Sequence, residues 1–484
     1  MLFAKVVVGL PIDVAFDYSV PHELQNNISI GSRVWVNLRN KKTVGYVVGF
    51  VPKSSIKNVK DILELIDNSP LLGKNELLLT KQISNYYCCS WGEAIETALP
   101  EGIRKGKTVS LDRDSSIATP LAPISKKETV LLHNLQPEAK WDIYVKEIQL
   151  ALDNKKSAII LFADIHAAQK AKEIVDKKIG VSTEILYRKE SKELDTWVRI
   201  RSCETSVVIG TRSAVFAPVN NLGLIIVDSE EDSVYKQEQV PHYHARELAL
   251  MRSDFEKVKV ILESRSPTLE SFYLAKQGKI SYQLIPRLKA APEIKIIDTR
   301  RLSFSERKSK PMLSKFLADT VYSVLNEKGK ALLFLNRKGF ATYASCHNCG
   351  VALRCPRCNI ALAYHFQENS LICHHCNFKM EAPEICPTCN SGYIKYSGIG
   401  TDKVESELSR IFPQARIKKI ESQESAGLND ADIFVATSAV LKNENLNFDL
   451  IGILNIDNSL NRVDFRAAEK AFSLLMGLVS LTNK

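Results

Sequence analysis

The chain has 484 residues, of which 45% are hydrophobic, and carries 65 Lys and Arg against 55 Asp and Glu for a formal net charge of +10. That length supports two to four packed domains, and the apolar share with only 21 Gly and 18 Pro excludes a disordered, collagen-like or low-complexity chain. The longest apolar runs, such as Leu222 to Val227 and Ala331 to Leu335, fall far short of the roughly 20 residues a bilayer-spanning helix needs, so no membrane segment is expected.

In chain order, MLFAKVVVGL is an apolar run interrupted by Lys5, with no basic segment before it and no small-residue cleavage site after it. It reads as a first strand, not a leader. Strand-like runs Ala4 to Gly9, Ser32 to Asn37 and Thr43 to Phe50 alternate with turn signals at Pro11, Gly31 and Arg39 to Lys42. A helix from Leu72 to Tyr87, with Leu77, Leu78, Ile83 and Tyr87 near helical spacing, closes a small β-rich domain over residues 1–107. Residues 108–128 are polar, contain two prolines and lack a period, which marks a linker. From 129 to 284, apolar strands at Ala158 to Phe162, Thr183 to Tyr187, Val207 to Gly210, Leu222 to Val227 and Val258 to Leu262 alternate with amphipathic stretches such as Ala167 to Lys178. That rhythm predicts a parallel sheet covered by helices. A second such block occupies 285–341, beginning near Ile294, and resumes over 396–484 with strands at Phe434 to Ala436 and Ile451 to Ile456. Residues 342–395 are then an insertion in it, and the fold class is a multidomain α/β chain with a small β-rich N-terminal domain.

Eight of the 11 cysteines fall in four Cys-x-x-Cys pairs: Cys346/Cys349, Cys355/Cys358, Cys373/Cys376 and Cys386/Cys389. Without an export signal, such clustering favours thiolate metal sites in a reducing cytoplasm over disulfides. Each knuckle supplies two ligands from one tight turn, so four pairs make two zinc sites of four thiolates each. Only five residues separate the first pair from the second, whereas the second and third are spaced nearly as in a zinc ribbon. Nested pairing is therefore the simplest geometry, with Cys346, Cys349, Cys386 and Cys389 on one zinc and Cys355, Cys358, Cys373 and Cys376 on the other. Closed thiolate sites leave no room for a catalytic water, so both ions are expected to be structural. His347, His374 and His375 are not needed as ligands.

The segment VVIGTRSAVFAPVNNLGLIIVD (Val207 to Asp228), followed by Tyr235-Lys236-Gln237 and Tyr243 to Arg246, resembles superfamily 2 helicases. More narrowly, AFDYSVP (Ala15 to Pro21), LPEG (Leu99 to Gly102), FLNRKGF (Phe334 to Phe340), the four cysteine pairs, GIGT (Gly398 to Thr401) and DFRAAEK (Asp464 to Lys470) resemble the PriA family of replication-restart helicases, nearly end to end. The resemblance implies that the two parallel-sheet blocks are helicase-like lobes, that the insertion holds two zincs in the nested pairing, and that Arg354, Arg357 and Lys379 on it can meet DNA or partners. It also implies that residues 1–107 recognise the 3′ end of a nascent strand. Phe16 and Tyr18 are candidates to stack on a base, Asp17 to accept from a terminal hydroxyl, and Lys60 to serve as the basic pocket residue; filling a small β core is the other role open to the two aromatics. Arg39 stands where the family has a pocket glycine, either obstructing a base or binding phosphate.

The departures bear on catalysis. A phosphate loop needs glycines, a Lys and a hydroxyl residue, but the chain reads LLHNLQPEAKWDIYV there, with Asn134, Pro137 and Ala139 at glycine positions and Trp141 at the hydroxyl position. Lys140 remains. Asp228-Ser229-Glu230-Glu231 replaces Asp-Glu-Glu-His, so the carboxylate that would activate water is Ser229. Ser264-Arg265-Ser266-Pro267 replaces Ser-Ala-Thr-Pro, Lys442-Asn443-Glu444 stands for Lys-Gly-His, and the sequence GLVSLTNK stands where an arginine-bearing segment is expected. Lys140 and Asp228 are accordingly expected to be a vestigial nucleotide site with no catalytic residues, which leaves ATP and magnesium in doubt. The family's winged-helix domain is expected to be absent between 108 and 128. The function expected is a replication-restart protein, cytoplasmic and nucleoid-associated, that binds forked, 3′-ended and single-stranded DNA. Its partners would be primosome proteins and single-stranded-DNA-binding protein, with no membrane. The alternatives are an active 3′ to 5′ helicase and a zinc-containing protein-interaction scaffold.

Overall fold

Alternating apolar residues and a two-residue turn set the N-terminal sheet. Strands β3 (Arg33–Leu38) and β4 (Lys41–Val51) pair antiparallel, and the residues between them, Arg39 and Asn40, both adopt left-handed φ values of 49° and 63°. Positive φ at both central positions is the turn whose twist matches its flanking strands, and Asn37 Oδ1 accepts the Asn40 N–H at 2.9 Å. With β1 (Phe3–Val8), β2 (Phe16–Ser19) and β5 (Ile62–Leu65), the sheet runs β2-β1-β4-β3-β5. A bridge between Ser19 and Asp61, with the Ser19 N–H donating to Lys60 O at 3.0 Å, links its two edges. The computed structural model describes residues 2–109, 127–188, 192–288, 290–298, 313–335, 344–359, 361–365, 369–373, 376–392, 394–395, 401–420, 431–442, 446–462 and 464–482. Most of the expected linker, motif residues 336–340, 398–400 and 443–444, and His374 and His375 lie outside them.

Helix α1 (Lys74–Tyr87) forms where the periodicity predicts, but Leu79 is buried and Leu78 is exposed. A capping box starts α2 (Trp91–Ala98), with Ser90 and Glu93 exchanging side-chain and backbone bonds. Gly92 lets α2 approach β1 so closely that a Cβ there would lie 1.7 Å from the Val8 carbonyl oxygen. Buried Arg33 grips Asp67 bidentately at 2.6 and 2.7 Å and donates to Lys107 O at 2.9 Å, tying the sheet to the segment after α3 (Glu101–Arg104).

The next block is a seven-stranded parallel sheet in the order β12-β6-β11-β10-β7-β9-β8. Its strands are β6 (Thr129–Asn134), β7 (Ser157–Leu161), β8 (Glu184–Leu186), β9 (Val207–Gly210), β10 (Leu222–Val227), β11 (Lys259–Ser264) and β12 (Ser281–Ile285). All six residues of β10 are buried, as a central strand covered on both faces requires. The covering helices are α4 (Lys140–Asp153), α5 (Ile165–Ile179), α6 (Glu193–Arg201), α7 (Ala245–Glu256) and α8 (Leu269–Lys276). Leu79 and Ile83 of α1 share one core with Leu161, Ile225 and Leu248, while Trp197 of α6 packs with Tyr46, Leu72 and Ile95. Residues 1–134 and 138–285 accordingly make one compact unit.

The second unit spans 286–484 with 135–137. Residues 290–298, read from sequence as the start of its sheet, carry no strand. Its parallel sheet runs β19-β20-β13-β21, built from β13 (Ala331–Leu335), β19 (Ile417–Ile420), β20 (Ile433–Ala436) and β21 (Leu450–Leu454). Helices α9 (Lys315–Asn326), α10 (Thr401–Ile411), α11 (Asp457–Leu460) and α12 (Ala467–Val479) accompany it. Between β13 and α10 lie the short strands β14 (Ser345–Cys346), β15 (Ala363–His365), β16 (Ser370–Ile372), β17 (Lys379–Glu381) and β18 (Ile394–Lys395). The fold class expected from the sequence is the one observed. Among the described residues no helix is long and apolar enough to cross a membrane.

Glu96 on α2 yields a pH test. Its carboxyl packs where a Cβ on Gly9 would lie, 1.9 Å away, and burial first, then Glu93, push it up from 4.5 to about 7 against the opposing pull of Arg104. A carboxyl raised on folding binds its proton more tightly in the native state. Its contribution is therefore full below pH 4.5 and is lost as pH rises through 7. Glu96→Gln is expected to melt with the parent at pH 4 and several degrees higher at pH 8; equal melting temperatures at pH 8 would refute this.

Candidate functional site

At the end of β6, Asn134 is fully buried, and α4 begins with Lys140. The Lys140 ammonium lies 2.8 Å from Asp228 Oδ1, with both side chains under 10% exposed. One turn along α4, the Tyr144 hydroxyl donates to the same oxygen at 2.9 Å. Ser229, at φ 52°, donates its hydroxyl to Asp228 Oδ2 at 3.2 Å. Glu263, from β11, accepts the Asn134 amide at 3.0 Å and the Ser229 N–H at 3.2 Å. Burial, and then the Asp228 charge, raise the Glu263 carboxyl, while Lys140 and Asn134 oppose them.

The neighbouring motif residues are engaged in the same way. Glu230 is fully buried, accepts from Arg246 at 2.7 Å, and at the start of α8, which Thr268 caps, accepts the Thr268 N–H at 2.8 Å and the Ser271 hydroxyl at 3.1 Å. Burial, reinforced by Glu263, pushes Glu231 up to about 8. Trp141 stacks on Phe162 with ring centroids 6.2 Å apart and meets Tyr144 edge-on, a packing role in place of a magnesium-binding hydroxyl. Sequence reading named Lys140 and Asp228 but missed Tyr144 and Glu263 as their neighbours. The four-residue spacing from Lys140 to Tyr144 was a signal; the approach of Glu263 is set by β11 lying beside β6.

The eight paired cysteines gather as two clusters, Cys346 with Cys349, Cys386 and Cys389, and Cys355 with Cys358, Cys373 and Cys376, each with its sulfurs within 4.8 Å of one another. Sulfur separations are 3.5 Å for Cys346–Cys389, 3.7 Å for Cys349–Cys386 and 3.5 Å for Cys355–Cys376. A tetrahedron with zinc–sulfur bonds of about 2.3 Å has edges of about 3.8 Å, so the donor set fits zinc. Backbone N–H groups of Asn348 and Thr388 point at Cys346 and Cys386, the knuckle arrangement that favours thiolate. The pairing is nested, and the two four-cysteine clusters are consistent with two structural zinc ions.

In the N-terminal sheet, Tyr18 is buried among Ala4, Val34 and Val47, with Phe16 at the margin of that core. The Tyr18 hydroxyl donates to Asn37 O at 3.2 Å, and the Lys60 ammonium donates to Asn37 Oδ1 at 3.3 Å. Tyr18, Lys60 and the hairpin tip carrying exposed Arg39 thus converge on Asn37. Asp17 alternates to the other face, where Lys5 at 2.5 Å and the Ser54 hydroxyl at 2.6 Å hold it. Burial acts to raise its carboxyl, but these two partners outweigh it and leave the group below the usual range.

Comparison with known proteins follows the same division of the chain. A profile of the PriA 3′ DNA-binding domain matches residues 5–100, and one of the Cys-rich region of PriA DNA helicase matches residues 355–380. The replication restart protein PriA of Bacillus subtilis is 34% identical over 71% of this chain and 45% of its own length. Those of Treponema pallidum and Haemophilus influenzae are each 27% identical over 98% of this chain and 77% and 79% of their own. The chain therefore spans under half of the first relative and over three quarters of the other two. Among solved structures, the DUF1998 helicase MrfA bound to DNA and AMPPNP aligns at 11% identity, TM-score 0.39, over 72% of this chain and 44% of its own.

Proposed function

Because the chain belongs to the PriA family of replication restart proteins, we propose that it binds branched or forked DNA and recruits primosome components in the cytoplasm, at the nucleoid, without turning over ATP. Residues 1–107 would engage DNA 3′ ends through the surface around Asn37, with Lys60 and Arg39 meeting phosphate and Phe16 at the core margin meeting a base. The zinc-binding insertion would serve partner contacts and keep its shape without catalytic chemistry.

The observation that carries the ATP half of this reading is the buried Lys140–Asp228 pair. A phosphate-loop lysine works by presenting its charge to phosphate, and a magnesium-binding aspartate by presenting an open oxygen. Here each charge neutralises the other, with Tyr144 and Ser229 completing the carboxylate's bonds. Glu263 adds a second carboxylate to the same corner, which opposes a nucleotide's negative phosphates. Pro137 has no backbone N–H to offer a phosphate.

The test is paired. Labelled fork DNA titrated at several salt concentrations is expected to bind with an affinity that falls as salt rises, while ATP hydrolysis stays at the no-protein background with or without the fork. Fork-stimulated turnover that vanishes in Lys140→Ala would restore the helicase reading, and no binding to any fork at low salt would leave only the scaffold.

A further inference from the structure

We propose that the side-chain amide of Asn37 is itself a DNA contact, donating to a phosphate oxygen at the 3′-terminal nucleotide of a strand. This rests on the 3′-end reading above and adds a residue that the sequence did not single out. Asn37 holds the tip of the β3/β4 hairpin, because its Oδ1 accepts the Asn40 N–H at 2.9 Å. The same oxygen accepts from the Lys60 ammonium at 3.3 Å. Both partners are donors and need an oxygen opposite them, which fixes the orientation of the amide. Its NH2 group is therefore turned away from them, and no acceptor among the described residues takes either of its hydrogens.

The charges beside Asn37 favour an anion. Lys42 stands directly across from it in the β3/β4 register, with its ammonium 3.0 Å from Glu64 and 4.8 Å from the Trp35 ring centroid. Lys60 is exposed, and the Ser19 N–H, donating to Lys60 O at 3.0 Å, ties down the backbone that carries it. Arg39 and Lys41 are exposed at the tip. The acids that accompany these lysines are engaged: Glu64 with Lys42, and Asp61 with the Ser19 hydroxyl at 2.5 Å. A ligand for an NH2 group beside lysines has to be an acceptor and is bound best as an anion, and a phosphate oxygen is both. The choice of amide over carboxylate supports this. Aspartate would hold the hairpin and Lys60 at least as firmly, but it would neutralise Lys60 and remove the donors.

Asn37→Asp is thus the decisive variant, since it keeps both acceptor bonds and changes only what is offered to a ligand. The experiment titrates the full chain by anisotropy against internally labelled oligo-dT, either linear with a free 3′ end or circularised. Asn37→Asp is expected to melt no lower than the parent and to bind the linear strand at least about tenfold more weakly, with the circle unaffected. Its slope of log affinity against log salt on the linear strand should fall by about 0.7, as in Lys60→Ala, because the new carboxylate neutralises Lys60. Parental affinity of Asn37→Asp for the linear strand would show that the amide only holds the hairpin and would overturn the proposal. So would an equal loss on the circle, which would mark a general charge effect. If the parent itself does not prefer the linear strand to the circle, the 3′-end reading falls and the proposal with it.

Discussion

Replacing Lys140 by alanine is expected to destabilise the first unit by about 3–5 kcal/mol, because it leaves the Asp228 carboxylate buried without its counter-charge. At roughly 2–4 °C per kcal/mol for a domain of 150–250 residues, that is a fall in melting temperature on the order of 10 °C. The double variant Lys140→Met with Asp228→Asn removes both charges and keeps an acceptor for Tyr144, so it should recover most of the loss. Fork binding by Lys140→Ala, measured well below its melting temperature, should be unchanged. A lysine kept for phosphate would behave in the opposite way, its loss costing nucleotide affinity and little stability. An unaltered melting curve for Lys140→Ala, recorded by calorimetry, would remove the physical basis for a closed site.

Metal removal is expected to have a still larger local effect. Structural zinc supplies about 10–16 kcal/mol of folding free energy in isolated zinc-finger peptides near neutral pH, and the described residues of the insertion form only a small core. Its small core is Ala344, Leu353, Leu362 and Leu371, wrapped around Cys355 and Cys373. Elemental analysis of protein purified under reducing conditions without chelator should return two zincs per chain. Cys355→Ser should return one, with new protease cleavage confined to residues 342–395. The core shared by α1, α2 and the seven-stranded sheet contains none of these residues, so the melting of the first unit should be unmoved. Recovery of one zinc or none from the parent protein would end the two-site assignment.

Much of this was legible in the residues. Four Cys-x-x-Cys pairs determine a metal module because each knuckle is a local turn whose ligand geometry needs no distant information, and the nested pairing followed from the short gap between the first two pairs. Continuous apolar runs such as Leu222 to Val227 determined buried parallel strands, since a strand covered on both faces tolerates no alternation. The losses in the phosphate loop were equally local, because the missing glycines and the Ser229 substitution are visible position by position. The choice between Leu78 and Leu79 was not, because α1 buries its face against both α2 and α7, and the direction of that double contact is not written in a single helix's period.

What surrounds Lys140 and Asp228 was decided only by the tertiary structure. Lys140 and Asp228 are 88 positions apart and Asn134 and Glu263 are 129 apart; the order β6-β11-β10-β7 sets their strand ends side by side, and burial then requires each charge to find a partner. The sequence left two roles open for Tyr18, and packing put it among Ala4, Val34 and Val47, because the alternation of a strand sends Asp17 to the opposite face. Likewise the sequence marked a helix ending at Tyr87 and a motif containing Lys236, but only the core shared by α1 and α7 sets the Lys236 ammonium over the Tyr87 ring. Local spacing determines which ligands and turns can form. Which charges meet is determined by the register and order of strands, a long-range property that no window of the sequence contains.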